Sequence, residues 1–254
     1  MKSNTIKDIK EALKTVETLD DPFIQQLELD ERKGVQKLLQ NWYKERENIK
    51  VQHEKFNEMM KYEDELAGQG FEYIVGIDEV GRGPLAGPVV AAAVILPKGF
   101  KLLGINDSKQ LSEKKREEYY HYIVENAISV GIGLITAEEI DQLNIYEATK
   151  KAMLEAITNL SIRPDYCLID AMKLNIPYPQ QSIIKGDALS VSIAAASIVA
   201  KVTRDNLMKK YSITYPEYKF EQHMGYGTKE HLLAIKKYGP CPIHRKTFAP
   251  IKNS

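Results

Sequence analysis

Four carboxylates stand where short apolar runs end. Asp78 and Glu79 close the run Tyr73-Ile74-Val75-Gly76-Ile77, Asp170 closes Tyr166-Cys167-Leu168-Ile169, and Asp187 follows Ser182–Lys185 and Gly186. An acid ending an apolar strand loses solvation, and several acids together repel unless a cation compensates. Carboxylate oxygens are the hard ligands that Mg²⁺ and Mn²⁺ prefer. Two such ions about 4 Å apart can activate a water and stabilise the leaving oxygen of a phosphodiester, so phosphoryl hydrolysis is the natural reaction class. Each acid alone has a plainer reading: Asp187 ahead of a helix makes a good N-cap, and Asp78 and Asp170 could each end a strand in a turn. Neighbours on a strand face opposite sides, so Asp78 and Glu79 reach one ion only if the backbone bends there. The conjunction is stronger than any member.

Directly after the acidic pair comes Gly81-Arg82-Gly83-Pro84-Leu85-Ala86-Gly87-Pro88. Glycines at 81 and 83 allow the bend and a close backbone approach to a ligand, and Arg82 between them can present a guanidinium to a phosphate. The segment lacks the Gly-Lys-Ser/Thr of a P-loop and misses the dinucleotide-binding Gly-x-Gly-x-x-Gly spacing by one. Asn106-Asp107-Ser108-Lys109 offers a second loop with a phosphate-binding lysine.

The elements that must position these residues follow from periodicity. Residues 1–70 are rich in Lys, Glu, Gln and Leu, and Val35, Leu38, Leu39, Trp42 and Tyr43 share one helix face. They read as an α-helical extension of two or three helices, with Gly68-Gln69-Gly70 as a linker. From Phe71 onward the pattern predicts strands at Tyr73–Asp78, Pro88–Leu96, Ile128–Ile135, Tyr166–Ile169 and Ser182–Lys185. Helices are expected over 112–126, over 136–160 behind the Thr-x-x-Glu capping box of Thr136 and Glu139, over 188–210 and over 229–238. Two early strands followed by alternating helices and strands imply an α/β domain over 71–254 with a mixed five-stranded sheet flanked by helices. Sites in such sheets collect at strand C-terminal ends.

Composition narrows the class further. The chain of 254 residues balances 35 Lys+Arg against 35 Asp+Glu, which argues against a uniformly basic nucleic-acid coat. The balance is local cancellation: residues 1–70 carry 12 positive and 15 negative charges, residues 71–200 carry 12 and 16, and residues 201–254 carry 11 and 4. That basic quarter also holds His223, His231, His244 and five tyrosines, a mixture that suits a polyanion with stackable rings or sugars, although charge clusters are usually plain surface. No apolar stretch approaches the roughly 18 residues of a membrane helix. The two cysteines, Cys167 and Cys241, form no CxxC pair, which suggests a reduced cytoplasmic setting without a cysteine zinc site.

Taken together, these motifs resemble bacterial ribonuclease HII, the type 2 ribonuclease H. The resemblance rests on Gly76-Ile77-Asp78-Glu79-Val80-Gly81-Arg82-Gly83-Pro84, Asp107-Ser108-Lys109, Leu168-Ile169-Asp170 and Lys185-Gly186-Asp187, continuing through Ser192–Asp205, Gly225-Tyr226-Gly227 and His244-Arg245. It spans about residues 71–249; residues 1–70 match no core motif, though some members carry a helical extension. It implies an RNase H-like fold and an endonuclease that cuts RNA in RNA/DNA hybrids and nicks duplex DNA 5′ to embedded ribonucleotides, leaving 3′-hydroxyl and 5′-phosphate ends. Asp78, Glu79, Asp170 and Asp187 would hold two Mn²⁺ or Mg²⁺ ions during catalysis. Gly81, Arg82 and Gly83 would sense the 2′-hydroxyl, Lys109 a phosphate, and Tyr226 the sugar at the ribonucleotide–DNA junction. The implied setting is ribonucleotide excision repair and DNA replication, with a monomer expected. Ala171 departs from the pattern, a glycine being more usual after the third acid. Ribonuclease HIII fits less well, because its loop lacks the Gly-Arg-Gly and its N-terminal domain carries a sheet. A non-catalytic hybrid-binding protein and a phosphatase for small esters are the alternatives from other classes. The N-terminal block is expected to aid duplex affinity.

Overall fold

The computed structural model describes residues 5–253 and divides into two compact units, Met1–Asn57 and Glu58–Ser254. In the first unit lie α1 (Ile6–Leu13), α2 (Pro22–Glu28) and most of α3 (Lys33–Met59). Thr5 and Asp8 form a reciprocal capping box on α1, and Asp21 caps α2 with Pro22 at its first position. The stripe expected on α3 is where the unit closes: Val35, Leu39 and Trp42 are buried against Ile9, Leu13, Ile24 and Leu27.

The second unit opens with α4 (Lys61–Gly68) and contains one sheet of β1 (Ile74–Val80), β2 (Val89–Ile95), β3 (Ser129–Ile135), β4 (Tyr166–Asp170) and β5 (Gln180–Ile183). Its order is β3-β2-β1-β4-β5, with β1–β2 and β2–β3 antiparallel and β1–β4 and β4–β5 parallel. Between strands come α5 (Glu113–Asn126), α6 (Ala137–Leu143) and α7 (Ile145–Thr158); after β5 come α8 (Val191–Thr214), α9 (Phe220–His223) and α10 (Lys229–Tyr238). Alternation along β1 separates two faces. Val75 and Ile77 join Ala148, Ala152 and Ala156 of α7, whereas Ile74 and Leu168 join Leu66 of α4 and Ile193 of α8. Asp78, two residues beyond Gly76, therefore shares the α8 face. A methyl on Gly76 would fall on the backbone of Ser192, so the missing side chain is what lets α8 lie against β1.

Several elements differ from expectation for local reasons. The helix expected over 136–160 is two helices, because Asn144 takes φ 74° and its side chain caps α7 through the N–H groups of Tyr146 and Glu147. The fifth strand lies two residues earlier than its apolar run suggests, since Gly186–Ala188 turn as a 3₁₀ helix and Lys185 sits at φ 58°. Helix α8 begins at Val191, capped by Ser190, and runs on to Thr214. Glu63 completes that cap: its Oε1 accepts from Ser190 Oγ at 2.6 Å and from Ser192 N at 2.9 Å. Among the described residues no helix is long and apolar enough to cross a membrane.

Because α8 touches β1 through backbone at Gly76, substitution there should be costly. Gly76→Ala is expected to destabilise the protein by about 3 kcal/mol through overpacking. That corresponds to a fall in the thermal midpoint of roughly 6–12 °C, and a change under about 2 °C would mean that the helix can move away at no cost.

Candidate active site

The register of the central parallel pair sets the site. Ile77 pairs with Ile169, so Asp78 and Asp170 come level one residue further along, on neighbouring strands. Glu79 follows on β1, which stays paired with β2 through Val80 before Gly81 turns at φ 95°, and Asp78 Oδ1 accepts the Glu79 N–H at 2.7 Å. Ligand atoms of Asp78, Glu79 and Asp170 lie within 4.8 Å of one another. Both adjacent acids reach one point in space although the pairing with β2 continues unbroken through both, so the bend expected between them is not what brings them together.

Burial and mutual repulsion make this cluster unfavourable by itself. Asp78 is only 5% exposed; its carboxyl is pushed well above the ordinary range by desolvation and then by the charges of Glu79 and Asp170, with the Ser197 hydroxyl working the other way. Desolvation also raises Glu79, against the pull of Arg82, whose Nη1 lies 3.4 Å from Glu79 Oε1. Glu79 Oε2 is buried with no hydrogen-bond partner. Asp170 is raised by burial too, although its Oδ1 accepts from Gly186 N at 2.7 Å. Close carboxylates, one with an orphaned oxygen, fit a divalent cation by donor chemistry and by charge.

The remaining sequence candidates are placed as follows. Asp187 lies in the turn Gly186–Ala188, outside the tight trio, and is not the helix cap, which is Ser190. Its carboxyl is half-buried and raised by desolvation and by the charges of Asp107 and Asp170. Lys109 sits in the turn Ser108–Gln110 that Asp107 caps. Burial works against its charge, but Asp107, Asp187 and Asp78 outweigh this and hold the ammonium above its usual value. Ser108 Oγ and Ser197 Oγ are 3.0 Å apart, which ties this turn to the α8 residue facing Asp78. Gly83 and Tyr226 come together: a methyl on Gly83 would stand 3.7 Å from the Tyr226 ring, which is 43% exposed. Ala171 adopts φ 46°, the left-handed region that explains why glycine is usual there.

These positions now bear comparison with known proteins. Residues 75–251 match the family Ribonuclease HII, and residues 5–67 match the Ribonuclease HII N-terminal domain. The chain belongs to the ribonuclease HII family. It is 57% identical over 252 residues to the ribonuclease HII of Bacillus licheniformis, covering 99% of each chain, and 58% identical over 253 residues to that of Bacillus cereus, covering 98% of the relative. Among solved structures, ribonuclease H2 from Pyrococcus horikoshii superposes at TM-score 0.62 with 28% identity over 71% of this chain and 95% of that one. The ribonuclease HII of Archaeoglobus fulgidus, solved in complex with PCNA, superposes at 0.60 with 25% identity over 69% and 95%. A Bst ribonuclease HIII solved with Mn²⁺ shares the fold at 0.55 and 20% identity. As a ribonuclease HII the chain is a nuclease, and RNA/DNA hybrids are the substrates on which its family acts.

The basic quarter of this ribonuclease HII is less of a surface than its charge count suggests. Arg204 and Arg245 are fully buried, and Lys201 and Lys209 pair with Asp205 and Glu113. His223, His231 and His244 are interior as well. Cys241 N donates to His244 Nδ1 at 2.9 Å, so His244 carries its proton on Nε2, 3.0 Å from His231 Nε2; His231 Nδ1 then donates to the Tyr226 carbonyl at 2.9 Å. The histidines thus hold the backbone of Tyr226 rather than facing solvent. Apolar spacing and charge counts carry no sign of this, since His and Arg in a loop-rich segment ordinarily read as surface.

Two outcomes follow. The raised carboxyls hold protons more tightly in the folded protein than in the unfolded chain, so their contribution is full below the unfolded carboxylate range and is lost as pH rises through the raised values. Asp78→Asn should therefore raise the metal-free thermal midpoint at about pH 7.5 by a few degrees, about 1–2 kcal/mol, while gaining less from added Mn²⁺ than wild type does; a lower midpoint in the variant would contradict the repulsion. The histidine chain runs the opposite way. Burial pushes His231 and His244 down to about 4, so the fold is unaffected above the ordinary imidazole value of 6.5 and loses stability as pH falls from there toward 4. His231→Gln should flatten that acid limb of a midpoint-against-pH curve.

Proposed function

We propose that the chain hydrolyses RNA in RNA/DNA hybrids and nicks duplex DNA on the 5′ side of an embedded ribonucleotide, leaving a 3′-hydroxyl and a 5′-phosphate. The observation that carries this reading is the approach of Asp78, Glu79 and Asp170 within 4.8 Å at the end of the central strand pair. In this proposal Asp78, Glu79, Asp170 and Asp187 are the catalytic carboxylates and hold two Mn²⁺ or Mg²⁺ ions. Bound there, the ions supply a water of lowered pKa and neutralise charge at the phosphodiester.

The chain's own groups do the rest. Asp170 is held by the Gly186 N–H, which fixes its carboxyl beside Asp78 and Glu79. Arg82 leans on Glu79 and keeps a half-exposed guanidinium at the mouth of the site, where a phosphate oxygen can share it. Gly83 leaves room for a sugar edge, Gly81 turns the chain at φ 95°, and Tyr226 beside Gly83 offers a ring face on which a ribose can pack. Lys109, flanked by acids on both sides, keeps its charge for a phosphate. The 2′-hydroxyl is a recognition handle in this scheme and not the nucleophile. We further assign residues 1–70 to duplex affinity and residues 71–254 to catalysis, in the cytoplasm.

A labelled duplex with one ribonucleotide, incubated with wild type and Mn²⁺ or Mg²⁺, should be cut once, 5′ to that residue, with ligatable ends. Asp78→Asn or Asp170→Asn should slow cutting by about 100-fold or more while leaving duplex binding within a few-fold. Normal binding with no nick by wild type would leave a hybrid-binding protein as the better account. Turnover of small phosphate esters in place of the duplex would favour a phosphatase.

A further inference from the structure

Behind the glycine loop lie two arginines that the proposed chemistry leaves unused. Arg204 on α8 and Arg245 beyond α10 are both at 0% exposure, and neither forms an ion pair with a carboxylate among the described residues. A buried cation without a counter-ion is costly, and burial lowers Arg204 to about 10 and, with help from Arg204's own charge, Arg245 to about 9, so both stay protonated at neutral pH. Each guanidinium spends its donors on backbone carbonyls, most of them in the loop of residues 81–88. Arg245 donates to the carbonyls of Gly81 at 2.5 Å, Arg82 at 2.9 Å and Gly87 at 3.1 and 2.9 Å. Arg204 donates to Ala86 at 3.0 Å, Pro88 at 2.9 Å and, outside the loop, Met224 at 2.9 Å.

This arrangement dictates where the loop's N–H groups point. In a trans peptide the carbonyl and the following N–H face opposite ways. With the carbonyls of Gly81 and Arg82 drawn inward onto Arg245, the N–H groups of Arg82 and Gly83 face away from it. Neither N–H has an acceptor among the described residues, whereas those of Leu85 and Gly87 are taken by the carbonyls of Gly225 and Ile243. Gly83 is also the loop residue that meets Tyr226. At Gly81 a methyl would strike the Arg204 side chain and come within 2.8 Å of the Pro88 carbonyl oxygen, so the arginines have no room for a larger residue in front of them. The positive charges stand behind the aligned peptides and reinforce the positive ends that face outward.

We propose that Arg204 and Arg245 are positioning residues for ribose recognition: by pinning the carbonyls of residues 81–88 they hold the Arg82 and Gly83 N–H groups ready for the 2′-oxygen of a ribonucleotide. The proposal rests on the nuclease reading above and assigns the discrimination of RNA from DNA to two residues that never touch substrate. Lysine in place of Arg245 keeps the charge but loses the planar fork, and its three donors on one nitrogen cannot reproduce the four bonds spread over three guanidinium nitrogens.

The test uses the full chain in Mn²⁺, with nicking of a single-ribonucleotide duplex giving KM and an uncut all-DNA duplex of the same sequence giving a competitive Ki. For Arg245→Lys the ratio of Ki to KM should fall about tenfold while Ki itself stays within about twofold, the loss of roughly one well-placed hydrogen bond. Gln at the same position should fall further. A folded variant whose Ki and KM rise together, or whose ratio is unchanged, would overturn the proposal by showing general electrostatic or structural support. Should Arg245→Lys not fold, amide exchange of wild type decides instead: the Arg82 and Gly83 amides should gain protection with the ribonucleotide duplex and not with all-DNA duplex, and equal protection would overturn the proposal. Wild type that does not nick at all would fail the nuclease reading and take this proposal with it.

Discussion

Parallel pairing of β1 with β4, in the register that matches Ile77 to Ile169, is the constraint from which the rest of the site follows. It brings Asp78 and Asp170 level on one face of the sheet. The fold gains no stability by that choice, because two acids are desolvated beside each other and a third, Glu79, reaches in to join them. The surrounding core carries the cost. β2 is buried along its whole length, and the strands around the acids are lined by Val, Ile and Ala on both faces. A site that is unfavourable when empty and favourable with a cation is what such an arrangement offers.

Helix α8 translates that constraint into a three-dimensional site. Its start is fixed by Ser190 and the carboxylate of Glu63, its early turns lie on β1 at Gly76, and Ser197 faces Asp78 while touching Ser108. Seven residues on, Arg204 reaches beneath the glycine loop. Seven residues make nearly two turns, so Ser190, Ser197 and Arg204 share one side of the helix. One rigid element thus spaces the acids, the Lys109 turn and the Gly81–Pro88 loop relative to one another. The helix has little side-chain bulk where it meets β1, and Ala and Ser make up half of Val191–Val202.

Much of this was legible in the sequence, and the parts that were not share a cause. Apolar runs ending in acids gave the strands and the site because burial and period 2 are local signals. Asn144 broke a helix that otherwise shows continuous periodicity, since a side chain capping the next helix competes with continuing the previous one. The fifth strand was displaced because its apolar residues partly belong to a turn, and Ile184 ends up 77% exposed. Arg204, Arg245 and the three histidines read in sequence as part of a basic, aromatic surface, yet they are interior groups satisfied by backbone carbonyls or by each other. Such partners come from loops far apart in sequence, where no spacing rule operates. Asp187 shows the same limit from the other side: the sequence places it near the site, and only the fold shows that Ser190 leaves its carboxyl free of capping.

The neutral charge of the whole chain acquires a physical meaning from these placements. Among the described residues of the second unit three acids are gathered with no cation touching them closely, apart from the 3.4 Å contact of Glu79 with Arg82, and two arginines are buried without an acid. Had they been neighbours, the two sets would have neutralised each other as a buried ion pair and left nothing to bind. The Gly81–Pro88 loop keeps them apart, with its carbonyls facing the arginines and its first residues adjoining the acids. Separation preserves two opposed local fields, one that draws cations and one that orients peptide N–H groups outward. A phosphodiester brings an anionic oxygen and a sugar hydroxyl into adjacent positions, and a surface with those two fields side by side matches it in a way that a uniformly basic coat would not.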